Sequence, residues 1–150
     1  MLADTLKALY TRDLTQLKNE LTLYSNEENI WRIGQNISNS AGNLCLHLVG
    51  NLNAYIGAEL GNTNYVRNRP EEFSLKNIPR QELISKIDST ITILETVVGS
   101  LTEDQLKSEY PKVILDRKMS TEYFLMHLAM HLSYHLRQVN YHRRLLDVAR

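Results

Sequence analysis

Apolar residues return at helical spacing in four separate stretches of this chain, and nowhere do they alternate convincingly in the two-residue rhythm of a half-buried strand. The first stretch runs from about Leu2 to Tyr24 and is carried by Leu6, Leu9, Leu14, Leu17 and Leu21. The second runs from about Ser40 to Leu60 with Leu44, Leu48, Leu52 and Tyr55 on one stripe. A third follows "NIPRQE", where Pro79 suits a first helical turn, and carries Leu83, Ile84, Ile87, Ile91, Leu94 and Val98. The fourth, which Ser120 or Thr121 can cap, includes Leu125, Leu128, Leu132, Val139 and Leu146. Four amphipathic helices, none able to bury its stripe alone, predict an all-α fold: a four-helix bundle with long connections, formed as one domain over residues 1–150. "KVILD", near residue 114, is the one segment that suits a short extended piece.

The 17 basic and 17 acidic side chains balance. The long-range field that gathers nucleic acid or anionic lipid is therefore missing, and neither is an expected partner. No run approaches the roughly 18 to 20 apolar residues that cross a bilayer, and the opening MLADTLKALYTRDLTQL lacks the pattern of a secretory signal. A single cysteine, Cys45, excludes an internal disulfide framework; together these features predict a cytoplasmic protein. The longest connection, "GNTNYVRNRPEEFSLKNIP", has two readings. It is a solvated crossover held by ion pairs, or it carries Arg67 or Arg69 over a pocket to meet an anionic group.

"HLAMHLSYH" places His127, His131 and His135 four residues apart. Side chains four apart on a helix lie about 40° apart around the axis and about 6 Å along it, within reach of one ion. Eight apart, they are separated by about 12 Å, so His127 and His135 cannot share one. Either His127 and His131 or His131 and His135 form the pair, and the later pair sits deeper against the apolar stripe. The only histidine outside this helix is His47, at the border of the core-facing arc of its own helix. In a bundle it can face the pair. Cys45 points about 200° away from His47 and reads as a small buried hydrophobe. Neutral imidazoles suit zinc, nickel, copper or iron, and binding should weaken below about pH 6.5 as they protonate. His142, Arg143 and Arg144 fall near the last turn, where positive charge suits the helix dipole.

"HLAMHLSYHLRQV", "NLCLHLVGNL" and "YVRNRPEEFS", in this order and spacing, resemble the DinB-like superfamily of four-helix bundles, and more narrowly a bacterial branch of uncharacterised function. The resemblance implies a divalent ion held by His47, His131 and His135, with Gln138 at a position commonly occupied by glutamine. It also implies a metal-dependent transferase that presents a low-molecular-weight thiol to a small electrophile; a homodimer, formed through a leftover apolar face of the bundle, is the expected assembly. Relatives often carry glycine before that glutamine. Here Arg137 stands there, either snorkelling to solvent or meeting an anion near the site. A protease of the zinc type would need Glu after His131, where Leu132 stands, and no Glu precedes a histidine by three as di-iron bundles require. Asn51 and Tyr134 are further polar groups that can reach a substrate. The competing expectation is a non-catalytic ion that pins the second helix to the fourth.

Overall fold

In the computed structural model, which describes residues 1–148, each of the four apolar stretches becomes a long helix, and shorter helical turns fill the connections between them. Helix α1 (Leu2–Leu23) buries Leu6, Leu14, Leu17 and Leu21. Tyr10 rather than Leu9 completes this stripe, its hydroxyl donating to the Leu125 carbonyl. Helix α2 (Ala41–Leu52) starts at Ser40, whose side chain accepts from the Asn43 amide. Helix α5 (Arg80–Gly99) begins directly after Pro79. Helix α7 (Thr121–Leu146) is capped by Ser120, which accepts from the Tyr123 amide. Helix α1 packs along α5 and α7, and α2 packs against α5 and α7 from the other side.

Three local features depart from the expectation. Every residue of α2 is buried, not only the stripe of Leu44, Leu48 and Leu52. Its sequence, AGNLCLHLVGNL, is apolar almost all round, and a short helix α4 (Arg69–Ser74) covers its outward face. That covering helix lies inside the stretch read as a crossover. Asn68 caps it and Pro70 sits in its first turn, a helix start written in the sequence as "NRPEE". Second, α2 does not stay regular to Leu60. It passes into a π-helical turn (Asn53–Ala58) before a last turn, α3 (Glu59–Gly61). The Asn53 side chain donates there through Nδ2 to the Val49 carbonyl (2.8 Å) and to Thr90 Oγ1 (2.9 Å) on α5. Third, "KVILD" makes no strand. Leu115 and Asp116 take left-handed backbone angles (φ 53° and 56°), closing a turn between isolated bridges after helix α6 (Glu103–Lys107).

The end of α7 is tied back to the segment that follows α1. Asp147 accepts from the Ser25 amide (2.7 Å), the Ser25 hydroxyl (3.0 Å) and the Asn29 side chain (2.9 Å). This fixes the start of a 3₁₀ turn (Glu27–Trp31) from which the chain runs across α7 towards α2. Asp147→Ala should lower stability by about 1–2 kcal/mol, since several charge-assisted hydrogen bonds go but the site is partly solvated. A urea midpoint equal to that of the parent would show that the tie holds nothing. No helix among the described residues is long and apolar enough to cross a membrane.

Candidate metal centre

The structure brings His47 of α2 together with His131 and His135 of α7. His47 Nε2 lies 3.2 Å from His131 Nε2, and His135 Nε2 lies 3.1 Å from the same atom. Nitrogens held about 2.0–2.1 Å from a tetrahedral zinc ion stand about 3.3 Å from one another, so this spacing is already that of a ligand set. Each imidazole comes from a helix position where the apolar stripe ends. His47 is buried, and His131 and His135 are half-buried.

The other ring nitrogens settle which way the lone pairs face. His47 Nδ1 lies 3.0 Å from Glu72 Oε1, and a carboxylate only accepts, so Nδ1 carries the proton and Nε2 is bare. His135 Nδ1 donates in the same way to Gln138 Oε1 at 2.7 Å. Two bare nitrogens therefore point at His131 Nε2. One proton on His131 can satisfy only one of them, and His131 Nδ1 is itself buried without a partner among the described residues. A divalent cation satisfies all three nitrogens at once; among the described residues nothing does. The set fits an ion of the imidazole-preferring kind.

Glu72 is the residue that sequence reasoning missed. It stands on α4, 5 % exposed, and Arg67 grips it with both arms of its guanidinium, Nε to Oε2 at 2.8 Å and Nη2 to Oε1 at 2.9 Å. Arg67 thus neutralises the buried acid that holds His47. Of the two readings of this connection, the ion pair is what forms, and it forms against the histidine cluster. Arg69 lies over the Phe73 ring (5.3 Å), and Phe73 lies against His47 (ring centroids 5.1 Å). A Cβ at Gly50 would stand 2.6 Å from Glu72 Cδ and closer still to Oε2, so only glycine leaves the carboxylate room. The signal available in the sequence was an acid in the first turn of a capped helix start, together with Gly50 almost one turn after His47.

Burial favours the neutral form of His131 and His47. Burial, reinforced by His135 and His47, pushes the pKa of His131 down to about 4. That of His47 is also lowered by burial, against the opposing pull of Glu72. The neutral form is the ligating one. His127 stays out of the cluster: exposed, it stacks on Phe124 with ring centroids 6.0 Å apart. Cys45 is fully buried, and burial pushes its thiol up to about 12. Tyr134 is exposed with its ring edge against His135 (5.2 Å), and Asn51 is buried with its Oδ1 lacking a partner among the described residues. His142 is not a cation at a helix end. It is 8 % exposed, and burial lowers its pKa, leaving Arg143 and Arg144 as the basic groups of the last turn.

A family model described as "Protein of unknown function (DUF1572)" matches residues 3–149. Among curated proteins no match was found.

Proposed function

The chain belongs to the DUF1572 family, part of the DinB-like superfamily, and from that premise we propose that it is a divalent-metal-dependent enzyme in which His47, His131 and His135 hold one ion. We read its four long helices as the superfamily's four-helix bundle, with α4 and α6 added in the connections. One observation carries the metal assignment: three Nε2 atoms converge, two of them bared by Glu72 and Gln138.

Three neutral nitrogens leave an open position on a zinc or nickel ion, the arrangement of reactive rather than closed sites. Bound there, the ion would lower the pKa of a coordinated thiol or water. The chain's own work is to present three imidazole nitrogens and to fix the orientation of two of the rings. Glu72, gripped by Arg67, fixes the tautomer of His47, and Gln138 fixes that of His135. Cys45, buried with its thiol held protonated, cannot supply the sulfur. The superfamily resemblance makes the reading a thiol-dependent S-transferase in which a low-molecular-weight thiol is presented to a small electrophile. The exposed Tyr123, Met126 and Met130 on α7 are the face we assign to a homodimer.

A second reading treats the ion as a clip with no chemistry. It is favoured by the origin of the ligands, all from α2 and α7, so that an ion would pin those helices together whether or not anything reacts there. Elemental analysis of untagged protein tests the metal, with about one ion per chain expected. Protein carrying none even after zinc or nickel is offered would sink both readings. Loaded protein that consumes no thiol with a panel of small electrophiles would leave the clip.

The lowered pKa values move the expected pH response. Burial lowers the pKa of His131 to about 4 and shifts that of His47 in the same direction from the ordinary value near 6.5. The hold of His131 and His47 on an ion should therefore weaken only below about pH 6.5, later than free imidazole would predict. For folding without metal the sign is the same. The unfolded chain binds protons at these sites first, so the stability linked to His131 is complete above about pH 6.5 and is lost as pH falls towards 4. Affinity unchanged down to pH 4 in a metal titration would exclude histidine ligation.

A further inference from the structure

A cavity of about 280 Å³ lies between α7 and the loop around Ile37, lined at one end by His135 and Gln138 and so beside the metal centre. It shares Ile37, Tyr134, Gln138 and His142 with a groove of about 380 Å³ along the outside of α7. At their junction His142 is more than nine-tenths buried, and its Nδ1 has no hydrogen-bond partner among the described residues. A buried ring nitrogen left unpaired beside an open cavity is an energetic cost that a ligand can remove.

The chemistry of the walls selects the ligand. The cavity end is polar, with Asn36, Ser38 and Asn39 offering side-chain donors. The groove end is apolar, with Ile37, Tyr141 and Leu145; the last two are 58 % and 63 % exposed. No Asp or Glu lines either part. Arg137, on the groove wall, is exposed and makes no ion pair among the described residues. From Tyr134 to Leu145 the groove follows about three turns of helix, roughly 16 Å.

We infer that this cleft binds an amphipathic organic carboxylate, its charged end between Arg137 and the unpartnered His142 and its apolar body laid along Ile37, Tyr141 and Leu145. Arg137 is then the residue that sets the charge of the ligand. His135 and Gln138 line the inner end of the cavity, so the site adjoins the metal centre, and the variants below separate the two.

Calorimetric titration with octanoate tests it, with acetate and 1-octanol as the chargeable and apolar halves of the same molecule. One octanoate per chain is expected, with acetate and octanol each at least about tenfold weaker. Arg137→Gln, at an exposed position that does not threaten folding, should weaken octanoate about tenfold, and His142→Phe by at least as much. Leu145→Asp is the companion should His142→Phe fail to fold, and should also abolish binding. His47→Ala should bind octanoate like the parent, and Arg137→Gln should load metal like the parent. Octanol bound as tightly as octanoate, or octanoate binding untouched by Arg137→Gln and Leu145→Asp, would overturn the assignment. So would the absence of octanoate binding in metal-free and metal-loaded protein alike.

Discussion

Gly50→Ala is expected to lower affinity for a divalent ion by about 10- to 100-fold, although position 50 cannot ligate anything. The new methyl group would occupy the space of the Glu72 carboxylate. Glu72 cannot simply turn away, because Arg67 holds it from the other side and the site is buried. Once displaced, it leaves the His47 Nδ1–H without an acceptor and Arg67 without its partner. The ring of His47 then has no fixed tautomer, and its Nε2 no longer faces the cluster by default. Breaking a buried, hydrogen-bonded ion pair in this way should also cost about 3–5 kcal/mol of stability. Glu72→Gln separates the two effects: the amide can still accept from His47, so affinity should fall less than in Gly50→Ala. Competition titration with a chromophoric chelator reads both variants. Equal affinity in Gly50→Ala and the parent would mean that Glu72 does not position His47.

His131→Ala is expected to remove the ion altogether while leaving the metal-free protein almost as stable as before. Its Nε2 is the atom that both other nitrogens approach, so its loss leaves His47 and His135 as isolated ligands. In the metal-free protein the same ring is a poor tenant, with a half-buried imidazole, an unpartnered Nδ1 and two bare nitrogens aimed at it. Removing it relieves that crowding as it opens space, and the two changes should offset to within about 1 kcal/mol. In the parent, an ion at 100 times its dissociation constant adds about 2.7 kcal/mol, which in a domain of this size is a rise of roughly 5–10 °C in Tm. The variant should show none of that rise. A metal-dependent Tm shift retained in His131→Ala would move the site elsewhere.

The long helices were legible because each carries a stripe whose period is set by helix geometry, and Ser40 and Ser120 cap where a serine before such a stripe should. What was not legible depends on contacts distant in sequence. The π-helical turn is stabilised by Asn53 reaching Thr90 on α5, which no local pattern encodes. The burial of α2 on all faces follows from the covering helix α4, and the sequence reading treated that stretch as a loop although "NRPEE" carries a cap and a first-turn proline. The histidine cluster could be read from spacing because two of its members share a helix. Its supports could not be read with equal ease. Gln138 stands three residues from His135 and was reached through resemblance, whereas Glu72 lies 25 residues from His47 and arrives from another element. His142 was misjudged because a helix end is usually solvated, and here the ring is buried, 8 % exposed, across a cavity from the loop around Ile37.

His47 and His131 meet across 84 residues of chain, whereas His131 and His135 are neighbours on one turn. Closing a flexible loop of that length costs about 4 kcal/mol in chain entropy, while the pair on α7 is preassembled once its helix exists. Ion capture should therefore have an order. The α7 pair can engage early and weakly, and His47 joins only after the intervening chain has folded back and α2 has docked, bringing Glu72 with it. An ion bound by all three histidines would then record that docking is complete, acting as a latch on the tertiary arrangement rather than as a nucleus for any one helix.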